Sequence, residues 1–304
     1  MDQQMQIFIT VAEQKSFSKA AETLHMTQSA VSQHIRSFEE KMGTRLLERT
    51  NKYVRLNQAG EIVFHHAKEM DRLYQHMQRL VDDVTNQASG PLTIGASYTF
   101  GEYVLPPIIA KLHQLYPDIQ PSVEIGNTAH IADLVSRNQL DIGIVEGHFK
   151  QEKVLTSAKH SEDEMVIVAS SRHPLAQRKR LGASLLADQL WICREEGSGT
   201  REAAEHVFKQ LDITPSDMMI FSSTQAIKEA VESGLGVTLL SKWAIKKELA
   251  RGELVMLPVK GLPFKREFSI VTASSFQTKA LQVFLSLLAS EDGSVMLSDS
   301  IVIE

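Results

Sequence analysis

The sequence has little cysteine and no long apolar run, and both shortages narrow the classes of protein open to it. Its single cysteine, Cys193, cannot form an intrachain disulfide and leaves no CxxC pair for a metal or redox site. No stretch approaches the roughly 18 apolar residues of a membrane helix. The first residues, MDQQMQIF, lack the features of an export signal. We therefore expect a soluble, cytoplasmic protein with no membrane partner.

An excess of charge of one sign is also missing. The net charge is -5 over 304 residues, which argues against a protein that coats nucleic acid by bulk charge but leaves a local basic face open. This length exceeds the usual size of one hydrophobic core, so more than one domain is expected.

Three regions differ in pattern. Residues 1–57 are dense in helical spacing, and residues 58–89 read as one long linker helix that ends near Gly90 and Pro91. From residue 90 to residue 304, strand and helix patterns alternate, which predicts parallel sheets covered by helices. The order favours two lobes, one of about 90–162 with 268–304 and one of about 163–267, joined by two crossings around a cleft.

The stretch SFSKAAETLHMTQSAVSQHIRSFEEKMG, residues 16–43, predicts two short helices joined by a tight turn. Val31, Ile35 and Phe38 recur on one face of the second helix. Its outer face carries short polar groups and one guanidinium, namely Gln28, Ser29, Ser32, Gln33 and Arg36. Such groups can read base edges in a DNA major groove, although an ordinary helical bundle shows the same pattern.

Basic residues follow this helix pair in RLLERTNKYVRLNQAG. Arg45, Arg49, Lys52 and Arg55 lie around a turn predicted at residues 50–52, between two short extended segments. This pattern resembles a wing that grips DNA phosphates. Scattered solvated charge is the alternative.

The linker helix carries an apolar stripe with alternating spacings of four and three residues. Its members are Val63, Ala67, Met70, Tyr74, Met77, Val81 and Val84. A period near 3.5 predicts a second helix packed alongside, and therefore a dimer that presents two recognition helices to an interrupted inverted repeat. Packing of the helix along its own domain is the alternative.

Two segments of the α/β region place hydroxyls and glycine where a strand gives way to a helix. They are GASYTFGEY at 95–103 and EEGSGTREA at 195–203, and Arg201 adds a full positive charge to the second. Helix starts offer unpaired N–H groups to anions, so we predict a small anionic ligand such as sulfite, sulfate or a small carboxylate. Capped helices that bind nothing are the alternative.

The residues from Phe8 to Arg49 follow the order F-x-x-V-A-E-x-x-S-F-S-x-A-A, then L-x-x-T-Q-S-A-V-S-x-x-I and E-x-x-M-G-x-x-L-L-x-R, with short spacers. This order resembles the DNA-binding domain of LysR-type transcriptional regulators, and the linker and α/β pattern extend the likeness over the chain. It implies a multidomain protein with an all-α winged helix-turn-helix, a linker helix and a two-lobed, periplasmic-binding-protein-like effector domain. Ser29 stands where proline is common in the family, and Phe38 where leucine is common.

The resemblance also implies residue roles by position. Base contacts would fall on Gln28, Ser29, Ser32 and Gln33. Phosphate contacts would fall on Thr27, Arg36, Arg49, Lys52 and Arg55, with Ser18 weaker because a capping role explains it equally well. Effector contacts would fall on Ser97, Tyr98, Thr99, Phe100, Thr128, Ser198, Gly199 and Thr200, with Thr224 and Gln225 as weaker members. The segments ASYTFGEYVLP, IGNT and LDIGIVEG are most similar to the CysL and YeiE branch, which is tied to sulfur or sulfite metabolism.

The sequence argues against two other classes of protein. An enzyme is disfavoured because Gly197-Ser198-Gly199 lacks the G-x-S-x-G elbow and His65-His66 lacks i,i+4 metal spacing, so neither metal nor cofactor is expected. A solute-binding protein fits the two-lobed part alone, but residues 1–88 argue against it. The effector, the operator, the sign of regulation, the choice between dimer and tetramer, and contact with RNA polymerase stay open.

Overall fold

A computed structural model describes residues 2–49, 53–83, 88–148, 156–273 and 276–290. The chain divides into two compact units, Met1–Thr85 and Asn86–Glu304. The sequence-based division at residues 57 and 89 stays a prediction.

The N-terminal unit consists of helices α1 (Gln3–Gln14), α2 (Phe17–Thr23), α3 (Gln28–Met42) and α4 (Gln58–Asp82), with strands β1 (Leu47–Arg49) and β2 (Val54–Leu56) between α3 and α4. Each helix begins at a side-chain cap, and these caps are Asp2, Ser16, Thr27 and Asn57. Ser16 rather than Ser18 therefore caps α2. Gly43, at a φ of 72°, ends α3 where an L side chain would be strained.

One apolar core joins these elements. The rings of Phe8 and Phe38 lie 5.4 Å apart inside it, and Val31 and Ile35 are fully buried. Strand β1 pairs antiparallel with β2, so that Arg49 lies opposite Val54. The predicted turn at residues 50–52 lies outside the described residues.

The apolar stripe of α4 divides in two. Val63 packs against the N-terminal core and Ala67 is buried. Further along, Met70, Tyr74, Met77 and Val81 are 55%, 38%, 49% and 64% exposed within this chain. Only the first part of the stripe is therefore covered by its own unit. Val84 lies outside the described residues.

The C-terminal unit alternates strands and helices. Its first half has β3 (Gly90–Ser97), α5 (Tyr98–Tyr103), α6 (Leu105–Leu115), β4 (Ile119–Gly126), α7 (Thr128–Ser136) and β5 (Ile142–Glu146). Then follow β6 (Thr156–Ser170), α8 (Ala183–Ala187), β7 (Leu190–Arg194), α9 (Gly199–Leu211), β8 (Asp217–Phe221), α10 (Thr224–Glu232), β9 (Val237–Ser241), α11 (Lys246–Arg251), β10 (Leu254–Met256), β11 (Phe264–Thr272) and α12 (Lys279–Ser290).

The strands form one sheet in the order β4-β3-β5-β11-β6-β9-β7-β8, with β10 on β6. Strand β3 pairs parallel with β4 and β5, and β7 pairs parallel with β8 and β9. The long strands β6 and β11 pair antiparallel with each other and connect the two halves. Each half has its own apolar core, so the predicted two-lobed α/β fold is confirmed.

Candidate DNA-binding and effector-binding sites

The predicted base-reading residues lie on the outer face of α3. Gln28, Ser29 and Gln33 are exposed, and Ser32 is half-buried. Gln28 Nε2 donates a hydrogen bond to Ser32 Oγ at 3.2 Å, while Thr27 Oγ1 caps the helix by accepting from Ala30 N–H at 3.2 Å. Apart from Thr27, these side chains have little part in the core, so they can exchange their surface hydrogen bonds for base edges.

The predicted phosphate-binding residues differ in how far the fold uses them. Arg36 is exposed on α3. Arg55 pairs with Glu48 at 2.6 Å and Arg49 pairs with Glu39 at 3.4 Å. Glu39 is buried and also accepts the N–H groups of Leu46 and Leu47, at 2.8 and 3.1 Å. Glu39 thereby fastens the wing to α3, and Arg49 helps to neutralise it. Ser18 is exposed, and Lys52 lies outside the described residues.

A buried arginine of β11 lies between the two predicted effector-binding helix starts. Arg266 is 8% exposed, and its Nη2 donates to Thr99 Oγ1 at 3.0 Å while its Nη1 donates to Thr200 Oγ1 at 3.2 Å. Thr99 belongs to α5 in one lobe and Thr200 to α9 in the other. A single guanidinium therefore bridges the two lobes.

Two buried carboxylates neutralise this guanidinium. Asp163 Oδ2 accepts from Arg266 Nε at 2.7 Å, and its Oδ1 accepts from Ser241 Oγ at 2.6 Å. Glu146, at the end of β5, approaches Arg266 Nη1 at 3.3 Å. A buried cation is tolerated only when it is paired and hydrogen-bonded in this way.

A second arginine marks another contact between the lobes. Arg194 ends β7 and is 2% exposed, with its guanidinium carbon 4.3 Å from the ring centroid of Tyr98 on α5. It donates to Thr224 Oγ1 at 3.1 Å and to Glu195. Burial alone would raise the pKa of the Glu195 carboxyl, but hydrogen bonds from Arg194 and Asn127 bring that pKa below its ordinary value. The Asn127 bond, at 3.1 Å, also joins the two lobes.

Several other predicted effector residues serve the fold. Thr128 Oγ1 donates to the Glu146 carbonyl at 2.7 Å, and Ser198 Oγ caps α9 by accepting from Thr200 N–H at 3.2 Å. A Cβ on Gly199 would lie 2.1 Å from the Glu146 carbonyl oxygen, so only glycine allows this approach. Phe100 is fully buried, 5.2 Å from the Phe268 ring.

The remaining predicted effector residues make none of the described hydrogen bonds to Arg266. Arg201 pairs along its own helix with Glu205 at 2.6 Å, so its charge is already engaged. Gln225 is exposed and donates to Glu229. Ser97 Oγ is buried without a hydrogen-bond partner among the described residues.

A cavity of about 380 Å³ opens on the Arg266 side of the sheet. Its walls include Gly147, Glu202, His206 and Phe264, and of the predicted effector residues only Gly199 reaches it. The predicted ligand set therefore shares only Gly199 with this cavity, and the cavity also contains Arg266, which contacts Thr99 and Thr200 of the predicted set.

Sequence reasoning missed Arg266, Asp163 and Glu146, although part of the signal was present. Burial alternates along β11, so that Arg266 shares the core-facing side of the strand with Phe268 and Ile270. Asp163 lies in the same way between buried residues of β6. A charged residue in register with a buried strand face is unusual, so the period of two along β11 signals Arg266. It does not signal Asp163, which lies in the polar run SEDE, or Glu146, whose strand is buried throughout.

Three possible metal ligands lie together on α4. The expectation that the His65-His66 pair lacks i,i+4 spacing is wrong, because Glu69 lies four residues after His65, and one ligand atom from each of the three residues lies within 4.8 Å of the others. They pair as His65–Glu69 at 3.4 Å and His66–Glu69 at 3.0 Å. Burial raises the pKa of Cys193 to about 11, which leaves its thiol unreactive at neutral pH.

Two family models match the chain. The helix-turn-helix model of the bacterial regulatory lysR family matches residues 3–61, and the LysR substrate binding domain model matches residues 85–292. The chain belongs to the LysR family of bacterial transcriptional regulators. It is accordingly a DNA-binding regulator with an effector-binding domain and not an enzyme.

Similar proteins agree with this assignment. The HTH-type transcriptional regulator CysL of Bacillus subtilis is 38% identical over 294 residues, which cover 96% of this chain and 98% of CysL. The predicted likeness to CysL is thus confirmed. Full-length OxyR of Pseudomonas aeruginosa has a TM-score of 0.69 at 26% identity over 94% of this chain and 93% of its own. The regulatory domain of Synechocystis CcmR, in complex with 2-PG, has a TM-score of 0.59 at 29% identity over 66% of this chain and 96% of its own.

Among the described helices of this LysR-type regulator, none has the length and apolar character needed to cross a membrane.

The pH dependence of stability should reveal the buried imidazole of His160, which lies on β6 against Phe100. Burial lowers the pKa of His160 from 6.5 to about 4. As the pH falls, the unfolded chain therefore binds a proton at this residue at a higher pH than the folded chain does. Stability from this group is complete above pH 6.5 and falls by about 3 kcal/mol as the pH drops to 4.

Replacing His160 by Gln should flatten this part of the pH profile, whereas the exposed control His113→Gln should leave it unchanged. Both tryptophans, Trp191 and Trp243, belong to the C-terminal unit, so urea unfolding followed by tryptophan fluorescence reports on it. An equal loss of stability between about pH 7 and about pH 4.5 in His160→Gln and the parent would contradict the assignment.

Proposed function

We propose that this LysR-type regulator binds an interrupted inverted repeat in double-stranded DNA as a homodimer and is controlled by a small anion bound at Arg266. The observation that carries the proposal is the Arg266 guanidinium, which holds Thr99 of one lobe and Thr200 of the other. The protein acts in the cytoplasm, where its DNA lies. Light scattering of the full-length protein would distinguish a dimer from a tetramer, and contact with RNA polymerase stays a prediction.

Base reading is assigned to α3 and phosphate binding to the wing. Gln28 and Ser32 form an exposed polar pair with little part in the core, which supports a role at base edges. Lys52 is predicted to lie between β1 and β2, where a basic side chain would meet the sugar-phosphate backbone.

Replacing a base-reading residue and replacing a phosphate-binding residue should have different effects on DNA affinity. Gln28→Ala should weaken binding to the specific site by about 1 to 3 kcal/mol and binding to random DNA much less. Lys52→Ala should weaken both kinds of DNA alike and flatten the salt dependence by about one unit of slope. Fluorescence anisotropy on operator and scrambled duplexes at several salt concentrations measures both effects. Equal losses on the two duplexes for Gln28→Ala would contradict base reading.

Dimerisation is assigned to the outer part of α4. Met70, Tyr74, Met77 and Val81 continue the apolar stripe beyond the part that packs on the N-terminal core, and each is exposed in the single chain. A row of large apolar side chains on one helix face is unfavourable in water and is stabilised by a second copy. A twofold pair of such helices would supply the two recognition helices that an inverted repeat requires.

Charging this stripe should separate the subunits. Met70→Glu together with Met77→Glu places carboxylates in the proposed apolar contact, where burying them is costly. Light scattering at micromolar concentration should show a fall from dimer or tetramer mass to monomer, with operator affinity reduced. Gln78→Glu, next to Met77 but outside the stripe, is the control for added charge. A double variant with unchanged mass and DNA affinity would mean that the subunits associate elsewhere.

The anion assignment rests on groups from both lobes. Arg266 supplies a guanidinium, whose charge Asp163 and Glu146 neutralise in this conformation. Thr99 and Thr200 supply hydroxyls beside it. Charge-assisted hydrogen bonds of this kind are about twice as strong as neutral ones. The CcmR regulatory domain, a similar protein, is known in complex with 2-PG, which supports a small-molecule ligand for this chain as well.

Small anions should therefore stabilise the protein against heat. A ligand at a hundred times its dissociation constant adds about 2.7 kcal/mol of stability if it binds only the folded state. A thermal-shift screen with sulfite, sulfate and small carboxylates should give at least one hit on the parent protein, and the shift should shrink in Thr99→Val. Thr238→Val, on strand β9, is the control for loss of a buried hydroxyl. No stabilisation by any of these anions, or equal shifts in the parent and Thr99→Val, would contradict an anion site here.

A further inference from the structure

The hydrogen-bonding groups of Arg266 are almost fully used. A guanidinium has five N–H donors. Three of them donate hydrogen bonds, to Asp163 at 2.7 Å, to Thr200 at 3.2 Å and to Thr99 at 3.0 Å. Glu146 lies 3.3 Å from Nη1 and so occupies a fourth N–H. An incoming anion therefore finds about one open N–H unless an existing partner leaves.

The two carboxylates around Arg266 differ in how firmly they are held. Asp163 uses both of its oxygens in short hydrogen bonds, of 2.6 Å from Ser241 and 2.7 Å from Arg266. Glu146 has one longer contact of 3.3 Å, and its other oxygen, Oε2, is buried with no hydrogen-bond partner among the described residues. Because a buried carboxylate oxygen without a partner is unfavourable, Glu146 is the carboxylate that is easier to displace.

The backbone at Glu146 is held more firmly than its carboxylate, which has one contact of 3.3 Å to Arg266. Its carbonyl oxygen accepts from Thr128 at 2.7 Å and is packed against Gly199, where an added Cβ would come within 2.1 Å. The residue ends β5 and is followed by Gly147 at a φ of 83°. A rotation of the side chain that moved the carboxylate away from Arg266 would leave these backbone contacts of the strand in place.

We propose that the Glu146 carboxylate is a tethered competitor that occupies the place of the effector's anionic group on Arg266. This inference rests on the proposed anion site. The effector must displace Glu146, so Glu146 sets the minimum strength of interaction that an effector needs.

This threshold narrows the class of effector. A tethered group competes at an effective concentration in the millimolar range or above. A simple monocarboxylate offers the same two oxygens as Glu146 and gains little by the exchange. A tetrahedral oxyanion offers more oxygens, and Thr99 and Thr200, whose oxygens accept from Arg266, keep their own O–H hydrogens to donate to it. We therefore expect a compact tetrahedral oxyanion to be preferred over a monocarboxylate.

Calorimetric titration of the full-length protein with sodium sulfate and with sodium acetate, at constant ionic strength in chloride, tests this role. In the parent protein sulfate should bind more tightly than acetate. Glu146→Gln should lower the dissociation constants of both anions by a similar factor of about ten, because a buried competing charge is removed while the side-chain shape is kept. Glu124→Gln, which replaces an exposed carboxylate of β4 that pairs with His130 and lies outside the cavity, should leave both constants unchanged.

The possible outcomes separate the two proposals. If neither the parent nor Glu146→Gln binds sulfate or acetate, the anion site itself is wrong, and the role of Glu146 is lost with it. If the parent binds sulfate but Glu146→Gln binds it equally well or more weakly, the anion site stands and the competitor role is overturned. Glu146→Ala, which leaves no side chain to reach Arg266, should give the same rise in affinity, and it decides the question if Glu146→Gln fails to fold.

Discussion

The buried charge of Arg266 is the constraint on which the effector-binding unit depends. Strand β11 carries it at the middle of the sheet, where the two lobes meet, at only 8% exposure. Such a charge persists only while Asp163 and Glu146 neutralise it and hydroxyls accept its remaining hydrogens. When any partner changes, another polar group is left unpaired in a region of low dielectric constant, so small chemical changes there have large energetic effects.

In the DNA-binding unit, by contrast, the residues that stabilise the fold differ from most of those predicted to contact DNA. Its core is apolar around Phe8 and Phe38, and the fastening of the wing falls to the buried Glu39. The outer face of α3 has little part in either. A substitution on this face, such as one at Ser29, is therefore expected to have little effect on folding, and its effect on base preference stays a prediction. Arg49 is the exception, because it serves Glu39 and is also a predicted phosphate ligand.

Patterns that are local in sequence were predicted well, and pairings that are distant were not. The periods of α3 and α4, and the strand-to-helix transitions before Thr99 and Thr200, are visible within about ten residues of sequence. Arg266 meets Asp163 across 103 residues and Thr99 across 167, and no local pattern reports the register that joins them. The expectation for Arg201 overlooked a local rule, since Glu205 four residues later takes up its charge.

Regulation requires more than affinity, because a ligand shifts a conformational equilibrium only as far as it prefers one state. A ligand that touched one lobe alone would keep its contacts whatever the other lobe did. Arg266 touches both, and the Tyr98–Arg194 and Asn127–Glu195 contacts also hold the lobes together in this conformation. An anion that exchanges places with Glu146 changes the partners of the bridging guanidinium itself. The contacts of such an anion therefore depend on the separation of the lobes. An effector of a two-lobed regulator needs this dependence, because it must bind one arrangement of the lobes better than another.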